Sequence, residues 1–494
     1  MLFSSPEFIF FFLPGVFGMY LLLVRWAGSA FSGAFLAAAS LFFYAWWKPI
    51  YLPLILISIG VNYALTRCIL LHEQRSQAMR KRGLWIGVAF NLGLLGYFKY
   101  AWFAVETAAL VVGSDFRIER VVLPLAISFF TFQQIAFLVD AWKGEVRQLR
   151  FSSYVLFVSF FPQLIAGPIV HHREMMPQFE SAQRTRWPGW LNLETGVRIF
   201  LIGLAKKLIL ADSLAVYADA GWSDPGSLQF AGAWATTLCY TFQLYFDFSG
   251  YSDMALGAAR FFGIHLPINF NSPYKARNLQ DFWARWHMTL SRWLRDYLYI
   301  PLGGNRRGRL LTYRNLFLTF LLGGIWHGAG WTFVLWGCLH GVGCIVHRIW
   351  SGYGKSLPLP FAWALTFVYV HVGWVFFRAP TMADARTMLA SLCGANGFEA
   401  FPAQRAWVAD LMQLQWVNPT ASHLEQAGLL TSGVLVWLIL CFALAVGCRN
   451  GVESTLKQPL RRPVVQAWAY ALLALACILF SIRAEQSPFL YFNF

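Results

Sequence analysis

Apolar residues come in long runs in this chain, separated by short polar stretches rich in Lys and Arg. Runs at 7–24, 28–47 and 50–71 each match the roughly 20 residues that a helix needs to cross a bilayer. Between Phe31 and Thr66 the only charge is Lys48. The loop 72–82 sets Arg75, Arg80, Lys81 and Arg82 against Glu73, which predicts a cytoplasmic face. Segment 83–100 then runs outward to a short stretch near Ser114 and Asp115. Segment 121–142 returns to Lys143, Arg147 and Arg150.

The later segments are less regular. Segment 154–170 is short, broken by Pro162, Gly167 and Pro168, and flanked by basic residues on both sides. Two readings fit, a re-entrant hairpin buried in protein or a loosely packed interfacial loop. Segment 194–216 crosses outward with Lys206 and Lys207, read as lysines snorkelling to a headgroup surface. Segment 228–262 exceeds one simple span and contains Asp247 and Asp253. After it, 265–314 carries nine Lys or Arg against two Asp, a cytoplasmic signal.

The run 314–350 begins beside Arg314 and ends beside His347 and Arg348. With both ends cytoplasmic it must turn inside the membrane, at the glycine-rich 323–330. His327 then lies deep, at a break between two half-length helices; a straight tilted helix is the alternative. Segment 361–378 leads to an amphipathic outer loop at 379–428. Segment 429–447 returns, 449–463 is basic, and 464–482 leaves again. The pattern predicts an all-α polytopic membrane protein with 9 to 13 membrane segments, some broken or re-entrant. It forms one integral-membrane domain over 1–494, with core motifs in 154–350, N-terminal helices in 1–142 and C-terminal helices in 361–494. The first apolar run lacks a preceding basic region, so it reads as a retained span with the N-terminus outside the cytoplasm.

Composition agrees. The chain is 58% hydrophobic and 13% charged, where soluble domains carry about 25% charged residues. The net charge of +16 sits in the inter-segment loops, so it reads as topology and not as nucleic-acid binding. The eight Cys are scattered without a Cys-x-x-Cys pair, which excludes a disulfide or zinc framework. His171 with His172, and His340 with His347, have no Cys or carboxylate at ligand spacing, so no metal site is expected. No phosphate-binding loop, dinucleotide fingerprint or Gly-x-Ser-x-Gly elbow marks the chain.

An ionisable group at membrane depth is costly, which makes His327 the first functional candidate. A neutral imidazole there can take a proton from a hydroxyl, the general-base role in acyl transfer; a packing histidine is the plain alternative. His287 lies on a stretch with an apolar stripe (Trp283, Trp286, Leu290, Trp293, Leu294) and a basic face (Arg285, Arg292, Arg295). That pattern fits an interfacial amphipathic helix with an incidental His, or a second active-site His. Asp281, Asp296, Asp247 and Asp253 can neutralise arginines or orient a His.

The motifs Asp281-Phe-Trp-Ala-Arg-Trp-His287, Trp293-Leu-Arg-Asp-Tyr-Leu-Tyr-Ile-Pro-Leu-Gly-Gly304 and Gly324-Ile-Trp-His-Gly328 resemble the membrane-bound O-acyltransferase (MBOAT) family. The resemblance is nearest to its bacterial branch containing the alginate O-acetyltransferase subunit AlgI and the D-alanyl transfer protein DltB. It spans essentially the whole chain, with support from Phe160–Pro168, Gly203–Lys207, Tyr245–Asp253 and Phe489–Phe494, and it makes a structural role for Lys206 and Lys207 the alternative to snorkelling. It implies a helical enzyme with a central tunnel. The family's invariant His falls on His327, and its second polar position on His287. It further implies transfer of an acetyl group from a cytoplasmic thioester, acetyl-CoA or another acyl thioester, toward an extracytoplasmic polysaccharide of the alginate kind. Partner acetyltransferase proteins of a polysaccharide-modification complex, and no tightly bound cofactor, go with that reading. The setting is a bacterial inner membrane. Arg285, Arg292, Arg295 and Arg306 are donor-binding candidates, and Asp296, Asp247 and Trp326 substrate-binding ones. His327 is base or transient acyl carrier, with His287 assisting. A D-alanyl donor fits the same motifs. A polysaccharide or lipid transporter is the competing class, although no internal repeat favours it.

Overall fold

The computed structural model describes the chain except residues 74–75, 117, 120, 166, 181–188, 399–430, 458–462, 484–486, 488 and 494. Most of the expected outer loop 379–428 therefore lies outside the described residues. Among those described, all regular structure is helical. Six helices are long and apolar enough to cross a membrane: Glu7–Trp26, Pro49–Leu71, Gln77–Val112, Trp331–Gly352, Leu359–Arg378 and Val464–Ile482. Phe31–Ala45 and Gly433–Gly447 are shorter apolar helices. Val464, Trp468, Leu472 and Ile482 are all more than 60% exposed on the last long helix. Such a stripe marks a surface meant for lipid or another apolar partner, and with six helices of spanning length and composition the protein is a multi-pass membrane protein.

Contacts divide the chain into two compact units, Met1–Val197 with Met254–Ile268, and Arg198–Asp253 with Asn269–Phe494. In the first, the helix Ile127–Trp142 is buried along nearly its whole length. Its polar residues are matched one by one: Gln133 donates to the Phe157 carbonyl (2.6 Å), Gln134 to Ser58 Oγ (2.9 Å), and Asp140 meets His172 at 2.7 Å. Buried polar groups need such partners where no water reaches them. The broken segment resolves here as a helix, Phe151–Ser159, an extended break at Phe160, and a single turn, Phe161–Leu164. It is buried from Ser153 to Leu164, which excludes the loosely packed loop.

In the second unit the run 314–350 does turn back on itself, but not as two half-length pieces. A 19-residue helix, Arg309–His327, ends at an extended Gly328, and a 22-residue helix, Trp331–Gly352, begins after Gly330. At ~1.5 Å per residue the first is about 28 Å long, so His327 caps a full-length hairpin at the end opposite Arg309. Glycines let the two helices touch. A Cβ on Gly324 would fall 2.8 Å from Gly337 Cα, and one on Gly337 would fall 2.6 Å from the Phe320 carbonyl oxygen. This is the small-residue packing expected where apolar side chains gain little from associating in lipid. A Cβ on Gly328 would sit 2.2 Å from the Phe333 ring, so the turn itself also requires glycine.

Candidate active site

The stretch 278–300 is not one amphipathic helix. Asn278 caps a short helix, Leu279–Trp283, by accepting from the Asp281 N–H at 2.8 Å. His287 then adopts a left-handed conformation (φ +41°), and a second helix, Met288–Leu294, starts from it. Left-handed backbone at a non-glycine residue is strained and concentrates at functional sites. The expected apolar stripe is present but faces protein: Trp283, Trp286, Leu290, Trp293 and Leu294 are all buried.

Asn269 holds the kink. Its backbone carbonyl accepts from Met288 N (2.9 Å). Its side-chain oxygen accepts from Thr289 N (3.3 Å), Thr289 Oγ1 (2.8 Å) and His287 Nδ1 (3.1 Å). An amide oxygen only accepts, so this pattern assigns the proton of His287 to Nδ1. Nε2 is left as the acceptor, buried and without a hydrogen-bond partner among the described residues. His287 is fully buried against Phe248 (ring centroids 4.8 Å) and Phe270 (6.4 Å).

His327, 3% exposed, is held by rings: Trp326 at 5.0 Å, Trp336 at 5.0 Å and Phe377 at 5.2 Å. The residue that brings the two histidines into one site is Tyr491, eight residues after Arg483 ends the last long helix and absent from the sequence-based candidates. Its buried ring lies 5.9 Å from the His327 ring and 6.4 Å from the His287 ring.

Tyr491 is delivered by a C-terminal strap fastened to buried charges. Lys207 donates to the Ser487 carbonyl (2.8 Å) and to Ser487 Oγ (3.0 Å), and Ser487 Oγ donates to Asp212 (2.6 Å). The Leu490 N–H donates to Asp247 at 2.9 Å. Lys207 itself bridges Asp212 (2.8 Å) and Asp247 (2.9 Å), while Lys206 pairs with Asp253 at 2.6 Å. Both lysines belong to a π-helical turn, Lys206–Ala211, a distortion common at functional sites. They are therefore not snorkelling: Lys207 is 3% exposed. Asp247, a substrate candidate, has both oxygens engaged, one by Lys207 and one by the strap.

The remaining charged candidates make their contacts away from the two histidines. Arg285 pairs with Asp281 (2.6 Å), and exposed Arg295 pairs with Asp296 (2.8 Å). Arg292 is half-buried and Arg306 is exposed. Trp326 is buried beside His327. Arg295 does line a half-open cavity of about 260 Å³ with Gln280, Ser291 and Arg348 among its polar residues and Trp283 and Phe320 among its apolar ones. Trp283 packs on Trp336 (5.7 Å), which packs on His327. Two rings thus lie between the cavity and the catalytic candidate. Among the described residues no His, Cys, Asp and Glu cluster could hold a metal.

Comparison with known proteins matches residues 93–379 to the membrane-bound O-acyltransferase family. The chain is also 43% identical to the peptidoglycan O-acetyltransferase of Helicobacter pylori, over all of this chain and 98% of that protein. The chain belongs to the MBOAT family. It is an O-acyltransferase, and the transporter reading is set aside. A probable alginate O-acetylase AlgI of Pseudomonas putida is 35% identical over the full length of both chains. A teichoic acid D-alanyltransferase of Bacillus subtilis is 29% identical over 51% of this chain and 68% of its own. The MBOAT match covers both histidines and the hairpin; the strap that carries Tyr491 lies beyond it.

Proposed function

We propose that this MBOAT enzyme moves an acetyl group from acetyl-CoA on the cytoplasmic side to a hydroxyl destined for an extracytoplasmic polysaccharide. It would act in a bacterial inner membrane, with the N-terminus outside and partner acetyltransferase proteins completing delivery. The observation that carries the chemistry is the pair of buried imidazoles flanking one buried ring at the closed end of the hairpin. His327 takes the proton of the acceptor hydroxyl as its oxygen attacks the thioester carbonyl. The tetrahedral intermediate then expels the CoA thiolate, which recovers that proton from the imidazolium. His287, with Nε2 as acceptor, receives a hydrogen bond from a neighbouring hydroxyl of the acceptor and so orients the attacking oxygen toward His327. The cavity beside Arg295 and Arg348 offers cations for the donor's phosphates and apolar walls for its arm. No tightly bound cofactor is required.

Full-length likeness to a peptidoglycan enzyme at 43% and to alginate enzymes at 35% makes these the two polymers to test, peptidoglycan first. The D-alanyl relatives match only about half of the chain, which favours acetyl. Purified protein in nanodiscs with radiolabelled acetyl-CoA tests the reading. Wild type should release or transfer label and His327→Ala should not. Equal turnover by both proteins would refute the role of His327. No turnover by either, with partners and polymer supplied, would refute the acetyl-CoA donor.

A further inference from the structure

A third histidine occupies the wall between the cavity and His327. His340 lies on the helix Trp331–Gly352 and is fully buried. Neither of its ring nitrogens has a hydrogen-bond partner among the described residues. Aromatic rings surround it, Trp336 at 4.7 Å and Trp283 at 5.1 Å being the nearest, with Phe320 at 6.4 Å. A Cβ on Gly373 would lie 3.2 Å from Nε2, so a glycine on the neighbouring helix is what admits the imidazole. Every imidazole carries at least one N–H. Burying it unpaired costs free energy that a phenyl ring in the same box would not. A histidine here therefore implies a polar partner that arrives from elsewhere.

The geometry shows from where. Trp283 and Phe320, two of the rings around His340, also line the cavity that carries Arg295 and Arg348. Cys344, one helical turn beyond His340, lines it as well. On the other side, His340 shares Trp336 with His327. A ligand held at the arginines and extended toward His327 passes His340 on the way. That ligand has an anionic head, a narrow arm and carbonyl groups along it.

We infer that His340 is a donor-binding residue, its ring N–H donating to a carbonyl oxygen of the thioester donor's arm as the arm reaches toward His327. This rests on the thioester-donor reading above. The test measures equilibrium binding of CoA and acetyl-CoA in a His327→Ala background, where no turnover interferes. His340→Phe fills the box without a polar atom, and His340→Asn restores a donor. His340→Phe should keep the parent's thermal stability and weaken acetyl-CoA binding about tenfold, the size of one lost hydrogen bond; His340→Asn should recover part of it. Unchanged affinity in His340→Phe would overturn the inference and leave the donor reading standing. No CoA binding by the His327→Ala parent would overturn both. Should His340→Phe fail to fold, His340→Asn against His340→Ala decides by the same ratio: equal affinity overturns the inference.

Discussion

The two histidines around Tyr491 reach it by opposite means. His327 ends a 19-residue helix, and its position follows from a hairpin closed by glycines and from the rings packed on the imidazole. His287 sits in strained left-handed backbone, and its position follows from hydrogen bonds to one amide, Asn269. Packing by rings fixes where an imidazole is without dictating which nitrogen holds the proton. The Asn269 amide fixes both. In the proposed mechanism the work divides accordingly: His327 gains and loses a proton through the cycle, whereas His287, its Nδ1 proton directed at Asn269, stays a neutral acceptor. Orienting partners of this kind typically matter by 10- to 100-fold, and a general base by about 10²- to 10⁴-fold.

The largest effect should come from His327→Ala, a fall in acetyl transfer of about 10³-fold or more with the protein still folded. His287→Ala should fall by about 10²-fold, measured on the same preparation. Equal losses in the two variants would erase the distinction between proton carrier and fixed acceptor.

Next comes the strap. Lys207→Met leaves Asp212 and Asp247 buried without their cation, which costs about 3–5 kcal/mol and frees Ser487. Thermal unfolding in detergent should show the loss, and the C-terminal segment should become sensitive to carboxypeptidase. A variant that keeps wild-type stability and a protected C-terminus would show that the tail is held by other contacts. Asn269→Ala should follow, lowering activity about 10- to 100-fold, while Asn269→Gln, reaching with the same amide, should recover part of it. Full activity in Asn269→Ala would mean that the tautomer of His287 is fixed by something else.

How much of this was visible in the sequence divides along the same line. The His327 apex was legible because glycines interrupt an apolar run that begins and ends in basic residues, and 3.6-residue periodicity needs no partner elsewhere. The hairpin's full length was not, because glycines in a lipid-embedded helix mark close packing as often as a break, as Gly324 against Gly337 demonstrates. Lys206 and Lys207 read as snorkelling because two of their three partners, Asp247 and Asp253, lie some forty residues away on another helix, and the third, Asp212, five residues past Lys207, meets it only through the π-helical turn. Asn269 was missed for the same reason, as it meets His287 across an 18-residue separation. Tyr491 carries no charge and no motif chemistry of its own. Only the Lys207 and Asp247 contacts that fasten the strap reveal why it belongs to the site.

The smallest expected effect is on pH dependence, and it tests the neutral character of His287 directly. The 278–300 stretch lies outside the long apolar helices. Burial pushes the His287 imidazole down to about 3 from its ordinary value of 6.5. In the unfolded chain the ring takes up a proton near 6.5; in the folded protein it stays neutral down to about 3. Between those values the unfolded state binds more protons, so acid favours unfolding. The contribution of His287 is fully present above pH 6.5 and is lost as the pH falls, by up to about 1.4 kcal/mol per unit. Thermal unfolding of wild type and His287→Gln at pH 7.5, 6.5 and 5 isolates it, since glutamine does not titrate. The variant should lose less stability between pH 6.5 and 5 than wild type does, by about 2 kcal/mol. Parallel curves would mean that His287 is protonated alike in both states, and the acceptor role drawn from its bond to Asn269 would fall with that result.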